Sequence, residues 1–174
     1  MNEAKLIALA RSGSEVGIRE LFHRFWPLAW QWAYAVLGDR MLADQAAQEA
    51  IAKAFQSLDR FDPQRPFAPW LKRIVVNRAI DDLRHERRRC SAERWAEMPA
   101  VIAVEPDGDS LHATFEAVRA LPSNQRLAIV LHYWLDFGVE DIARQLRTPV
   151  GTVVSRLSRA RAAIRQHVEA NDVF

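Results

Sequence analysis

One cysteine in 174 residues, Cys90, leaves no partner for an intramolecular disulfide, and there is no CxxC or Cys/His cluster for a structural zinc site. Glycine is scarce at 6 residues, while Ala, Leu and Arg abound, a balance that favours helix over sheet. No apolar run approaches the roughly 20 residues of a membrane span, and Met1-Asn2-Glu3-Ala4-Lys5 carries no signal-peptide apolar region. A cytoplasmic protein without membrane insertion is the expectation. The five histidines (His23, His85, His112, His132, His167) are scattered, and HExxH, GxSxG, P-loop and GxGxxG patterns are all missing. Nothing therefore points to an enzyme, a metal site or a cofactor, and His132, within an apolar helix, reads as a partly buried structural residue. The isolated Cys90 reads as inert.

What is present is a soluble composition, 49% hydrophobic and 26% charged, that can bury one ordinary core or two small ones. The formal charge of +2 is an average over opposing segments. Residues 1–60 balance at seven basic against seven acidic residues, whereas residues 61–94 hold nine against five, a net of +4. Residues 95–124 reverse this with one against five, a net of −4, and residues 125–174 return to seven against five, a net of +2. Arg144, Arg147, Arg156, Arg159, Arg161 and Arg165 occur with no acidic residue between Asp141 and Glu169. Such a run suits either a polyanion, whose condensed counterions it would release, or a solvated helix face. The acidic stretch, with Glu97, Glu105, Asp107 and Asp109, is expected to limit nonspecific DNA binding.

Apolar spacing predicts an all-α fold of two small helical domains joined by a flexible linker, the second containing a helix-turn-helix: residues 1–89, 90–110 and 111–174. Ser14 can cap a helix through Ile18, Leu21, Phe22 and Phe25 that Pro27 breaks or restarts before Leu28–Leu37, with Gly38-Asp39 ending it. Leu42–Leu58 sets Ala46, Ala47, Ala50, Ile51, Ala54, Phe55 and Leu58 opposite Asp44, Gln45, Gln48, Glu49 and Lys53. After the proline-bearing loop Asp59–Pro69, a helix from Trp70 to about Arg89 turns Leu71, Ile74, Val75, Ala79, Ile80 and Leu83 inward. Lys72, Arg73, Asn77, Arg84, Arg87 and Arg88 are left mostly outward, and Trp70 is read as core. The linker offers Trp95 and Val101-Ile102-Ala103-Val104 as docking points.

Order resumes at Ser110, and Pro122-Ser123 starts a helix reaching Trp134. A short helix at about Val139–Leu146, the turn Arg147-Thr148 and a last helix from Pro149 follow, with Thr148 as its cap. This is a helix-turn-helix pattern, with Ile142, Ala143, Leu146, Val150, Val153 and Leu157 as its core. Thr152, Ser155, Arg156 and Arg159 are then presented to the major groove, where Arg pairs with guanine edges and Ser/Thr reach bases or phosphates. A helical hairpin without DNA has the same spacing.

The stretch Leu121-Pro122 … Gln125-Arg126 … Glu140-Asp141-Ile142-Ala143 … Pro149-Val150-Gly151-Thr152-Val153 … Ser155-Arg156-Leu157 … Arg159-Ala160-Arg161 resembles region four of extracytoplasmic-function (ECF) sigma factors of the sigma-70 family. Leu37-Gly38-Asp39, Ala43-Asp44 … Gln48-Glu49, Ala54-Phe55, Leu58-Asp59-Arg60-Phe61, Phe67 … Trp70-Leu71 … Arg73-Ile74 … Asn77 … Asp81 … Leu83-Arg84 resembles region two. The matches cover residues 14–89 and 111–168 in the family's order. The resemblance implies a factor that binds bacterial core RNA polymerase and directs promoter-specific initiation, with promoter recognition and melting. Asp44, Gln45, Gln48, Glu49 and Lys53 would then face the polymerase clamp helices. Lys72, Arg73, Asn77, Arg84, Arg87 and Arg88 would meet the minus-ten element, and Thr152, Ser155, Arg156, Arg159 and Arg161 the minus-thirty-five element. It also implies an anti-sigma factor as a partner.

Three positions depart from the family pattern. Gln45 stands where an acid is usual, Gly138 replaces a Ser/Thr cap, and Val154 sits where Lys or Arg is common, so that it either removes a phosphate contact or faces the core. Two rival readings are a helix-turn-helix regulator that binds duplex DNA without polymerase, and an adaptor that occupies polymerase or an anti-sigma partner without reading promoters.

Overall fold

The computed structural model describes residues 2–89 and 109–171, with the side chains of Arg87, Arg89, residues 109–113 and Asn171 left aside. The expected linker, with Cys90, Trp95, the run from Val101 to Val104 and the acidic Glu97, Glu105 and Asp107, lies outside the described residues, as does the side chain of Asp109.

The described residues form helices without strands. They are α1 (Glu3–Arg11), α2 (Glu15–Leu37), α3 (Arg40–Gln56), a 3-10 turn at Leu58–Arg60 and α4 (Phe67–Arg89). Then come α5 (Asp109–Ala120), α6 (Ser123–Ile129), a π-helical turn at Val130–Trp134, α7 (Val139–Leu146) and α8 (Val150–Asn171).

In the first domain α2, α3 and α4 pack on one another. Ala43, Ala46, Ala47, Ala50 and Ala54 are all fully buried. Their small side chains let the neighbouring helices approach closely, while Leu21, Phe25, Val36, Leu37, Leu71, Val75 and Ile80 supply the apolar volume. Gly38 closes α2 in the left-handed conformation at φ 67°, where a Cβ would be strained, and Asp39 caps α3 by accepting from the Leu42 amide at 2.9 Å.

Pro27 does not break the helix: α2 runs unbroken from Glu15 to Leu37. Pro27 lies on the exposed side, where water can satisfy the carbonyl it leaves unpaired, and the packed neighbours Phe25 and Ala29 hold both halves in place. Ser14 stands at the helix start, but its side chain makes no capping bond, and Ile18 is exposed.

The sequence reading placed no element before Ser14, yet α1 is a structural brace. Leu6 and Ile7 are buried, Arg11 donates from Nε to the Leu58 carbonyl at 3.1 Å and from Nη2 to the Phe61 carbonyl, and Glu3 Oε1 accepts from the Phe67 amide at 3.1 Å. Glu3, 64 residues away in the sequence, thus caps α4, an arrangement that also suits the positive helix N-terminus. Phe25, Phe61 and Trp70 surround Phe67 with ring centroids 4.8 to 5.4 Å away, pinning the loop between α3 and α4. Trp70 is half-buried among these rings, in keeping with its reading as core.

In the second domain α8 packs against α5, α6 and α7, around Leu121, Ile129, Leu131, Leu135, Phe137, Ile142, Val153 and Leu157. The π-helical turn is closed by the Leu135 amide on the Val130 carbonyl at 2.9 Å and leaves Tyr133 and Trp134 exposed. Arg126 is buried and donates to the Arg119 carbonyl near the end of α5 at 2.8 Å. Burial, aided by the like charge of Arg119, lowers its pKa. His132 is half-buried with Nδ1 2.9 Å from the Phe137 carbonyl, which fits a structural role.

Candidate polymerase and nucleic-acid interfaces

The alanine stripe of α3 faces inward, so its opposite side is left to solvent. There Gln45, Gln48, Glu49 and Lys53 are exposed and Asp44 is half-buried. Gln48 donates to Asp44 at 2.8 Å and Gln45 to Glu49 at 3.2 Å, the i,i+4 spacing that organises a polar helix face. Glu49 also pairs with Arg78 of α4 at 2.6 Å, and Arg78 with Asp82 at 2.8 Å. The hydrogen bond to Asp82, with the charges of Asp82, Glu49 and Asp81, raises the Arg78 pKa against an opposing burial penalty. Arg78 is absent from the sequence-derived set. Its i,i+4 relation to Asp82 is legible in the chain, but its partner on α3 is not.

Arg73, Asn77, Arg84 and Arg88 lie along one side of α4, as the spacing at about 100° per residue requires. Arg73, Asn77 and Arg88 are exposed and Arg84 is half-buried. The side chain of Arg87 lies outside the described set. Lys72, expected outward, is instead half-buried with Nζ 5.6 Å from the Phe137 ring centroid of the second domain. The side of α4 that one domain alone would leave to solvent is here partly covered by the other. Two α4 arginines also reach across: Arg73 pairs with Asp141 at 3.1 Å, and Arg84 Nη2 donates to the Gln145 carbonyl.

The helix-turn-helix is formed by α7, Arg147-Thr148-Pro149 and α8. Arg147 takes the left-handed conformation at φ 51°, and the Thr148 amide reaches the Ala143 carbonyl at 3.0 Å, closing the tight turn. Ile142, Ala143, Val153 and Leu157 are buried and Leu146 is half-buried. Val150, the first residue of α8, is not part of this core: it is 46% exposed. Thr148 Oγ1 makes no capping bond either and is buried without a partner. Gly138 begins α7 in an extended conformation with no side-chain cap.

On α8 the residues Thr152, Ser155, Arg156 and Arg159 share a side, with Thr152, Ser155 and Arg156 half-buried and Arg159 exposed. Ser155 Oγ donates to the Thr152 carbonyl at 3.0 Å. Arg161 departs from this group. It lies two residues past Arg159, about 160° round the helix, and approaches the Tyr133 hydroxyl at 3.5 Å. Val154 is exposed rather than turned to the core.

Among the described residues, no group of three His, Cys, Asp or Glu side chains is placed to hold a metal, and no helix is long and apolar enough to cross a membrane. The arrangement is a polar helix face, a basic helix and a helix-turn-helix in one chain.

Residues 21–89 match the family described as Sigma-70 region 2, and residues 112–164 match Sigma-70, region 4. The chain is 27% identical to the ECF RNA polymerase sigma factor SigW of Bacillus subtilis across 94% of this chain and 95% of that protein. It is 30% identical to SigM of Mycobacterium tuberculosis (94% and 83%), also an ECF RNA polymerase sigma factor, and 35% identical to the ECF RNA polymerase sigma-E factor of Escherichia coli K12 (70% and 71%). Among solved structures, CnrH in complex with the cytosolic domain of CnrY superposes with a TM-score of 0.56 at 27% identity, covering 97% of both chains. The sigma factor RpoE of Bartonella quintana, in complex with the anti-sigma factor NepR, shares the fold with a TM-score of 0.59 at 23% identity, covering 87% and 96%. With both conserved regions matched in order and the relatives covered over most of their length, this chain belongs to the ECF RNA polymerase sigma factors of the sigma-70 family.

Proposed function

We propose that this sigma factor divides its work at residues 1–89 and 111–174, joined by a linker at 90–110. The first domain binds core polymerase and the minus-ten element, and the second binds the minus-thirty-five element. The α3 face built from Asp44, Gln45, Gln48, Glu49 and Lys53 docks on the polymerase clamp. It is a polar rim beside buried apolar positions, with Glu49 oriented by Arg78. Arg73, Arg84, Arg87, Arg88 and Lys72 hold phosphates of the separating strands, and Asn77, with both donor and acceptor groups, reads an unpaired base edge. Capturing single-stranded bases offsets the cost of unpairing, so no nucleotide hydrolysis and no catalytic residue of this chain is needed. Thr152, Ser155, Arg156 and Arg159 enter the upstream major groove, with Arg161 contributing to phosphates from its own side of α8.

The observation that carries this reading is the presence of the basic α4 side and the helix-turn-helix in one chain. A duplex-only regulator would use the second and leave the first unexplained. The factor acts in the cytoplasm, where polymerase and promoter meet, and family membership implies an anti-sigma factor that holds it inactive. Added to bacterial core polymerase and a genomic promoter library, the full chain should yield transcripts from a defined promoter class. Core-dependent transcripts with no promoter preference would overturn the reading.

Asn77→Ala should weaken binding to a minus-ten-melted template by about 1 kcal/mol, severalfold in affinity, because hydrogen bonds to one base edge are lost. Core binding should be unaffected, since Asn77 is exposed on α4 and the proposed clamp face is built from α3. An equal loss in a core-binding titration would reject this role.

A further inference from the structure

The carboxylate of Glu49 is held at both oxygens. Gln45, one turn earlier on α3, donates from Nε2 to Oε1 at 3.2 Å, and Arg78 of α4 brings Nη1 to Oε2 at 2.6 Å. Arg78 is itself fixed. Its Nε donates to Asp82 Oδ2 at 2.9 Å and its Nη2 meets Asp82 Oδ1 at 2.8 Å, the two-pronged fit of a guanidinium fork to a carboxylate. The side chain of Asp82 is 19% exposed, against 43% for Glu49, so the relay is anchored on α4 and opens to solvent at Glu49. We infer that Arg78 and Gln45 are positioning residues for polymerase docking: they hold Glu49 in one rotamer and act on core polymerase through it, without touching polymerase themselves.

The inference rests on the assignment of the α3 face to polymerase made above. A lone glutamate on an exposed helix face samples several rotamers, and fixing one of them on binding costs affinity. A side chain already ordered in the free protein is spared that cost. The two bonds occupy about half of the roughly four lone-pair sites of the carboxylate, which leaves the others for a donor on the partner. Position 45 gains a new meaning here. The acid usual in the family would repel Glu49 one turn away, whereas Gln45 donates to it. Arginine is likewise specific at position 78, because a lysine ammonium cannot match the fork to Asp82 while reaching Glu49 in the same geometry. Pairs this exposed add little to fold stability, so their effect belongs to binding.

The test is a competition titration. Full-length wild type carrying a fluorophore on Cys90 is bound to bacterial core RNA polymerase, unlabelled variants displace it, and anisotropy reports the fraction bound. Glu49→Ala should weaken core binding by about tenfold. Arg78→Ala should weaken it by about three- to tenfold, and Asp82→Asn, which frees Arg78 while leaving Arg78 and the α3 face unchanged in sequence, by about threefold. Arg78→Lys should fall between wild type and Arg78→Ala, and Gln45→Ala should lose about twofold. Built on Glu49→Ala, the changes at 45, 78 and 82 should each cost less than about 1.5-fold more, the mark of residues that act through Glu49. Thermal melting of the free chains should stay within about 4 °C of wild type. Asp82→Asn gives the same reading should Arg78→Ala loosen α4.

Losses at 78 and 82 of equal size with and without Glu49 would overturn the positioning role, as would Arg78→Ala binding core like wild type while Glu49→Ala is weakened. An undiminished loss from Gln45→Ala in the Glu49→Ala background would overturn the role of Gln45, making it a direct contact. If Glu49→Ala itself binds core like wild type, the placement of polymerase on α3 fails and the inference falls with it. The two failures are thus told apart by the Glu49 single variant.

Discussion

Ile142→Ala should unfold the second domain while leaving the first folded. Ile142 is fully buried on α7, within a core that includes Leu131, Phe137, Val153 and Leu157. Truncation removes the transfer free energy of the lost carbons and leaves a cavity, together about 2–5 kcal/mol. A domain of this size holds only about 3–5 kcal/mol in all, so the loss is comparable with its whole stability. The expected readout is loss of one of two thermal transitions and a drop in helical circular dichroism restricted to α5–α8. Binding to core through α3 should persist, and discrimination between matched and mutated upstream elements should vanish. A second-domain transition within about 0.5 kcal/mol of wild type would contradict the packing described for α7.

Gly17→Ala should destabilise the first domain, against the usual sign for that change. In a helix interior, alanine is favoured over glycine by about 1 kcal/mol. Here an added Cβ would stand 2.6 Å from the Ala10 amide nitrogen and 2.7 to 2.8 Å from Leu9 atoms. Two of these three neighbours are backbone atoms, so α1 itself must move, at an overpacking cost of about 1–3 kcal/mol that exceeds the propensity gain. The consequence reaches α4, the helix proposed above to meet the minus-ten strand, because α1 carries Glu3, which caps α4, and Arg11, which holds the Leu58 and Phe61 carbonyls. The variant should melt at lower temperature, exchange the Phe67 amide faster and bind melted minus-ten DNA less well. An unchanged or raised melting temperature would show that α1 yields at no cost.

Much of the fold was legible because its elements follow from local chemistry. The α3 alanines repeat at helical spacing opposite Asp44, Gln48 and Glu49, and Gly38-Asp39 couples a left-handed stop to a side-chain cap. Both work within a few residues, so periodicity and capping rules suffice. Pro27 was misread for the complementary reason. A local rule counts the lost backbone bond, but the side chains that hold Phe25 and Ala29 in the core belong to other helices. Val150 fell on the expected apolar stripe, yet it stays exposed at the start of α8. The capping roles of Ser14 and Thr148 failed similarly, since a residue type that can cap does so only when its rotamer reaches an amide.

The site divides along the same line. Residue order and spacing were enough to specify a basic side of α4, a polar side of α3, a helix-turn-helix and the family to which they belong, because helical geometry maps sequence separation directly onto a face. Three things had to await the packed chain: the Arg78 bridge to Glu49, the cap that Glu3 places on α4 from 64 residues away, and the closure of Asp141 and Gln145 over Arg73 and Arg84. Each joins residues far apart in the chain through the way helices dock. Docking depends on the summed burial of many side chains together, which no single stretch of sequence encodes.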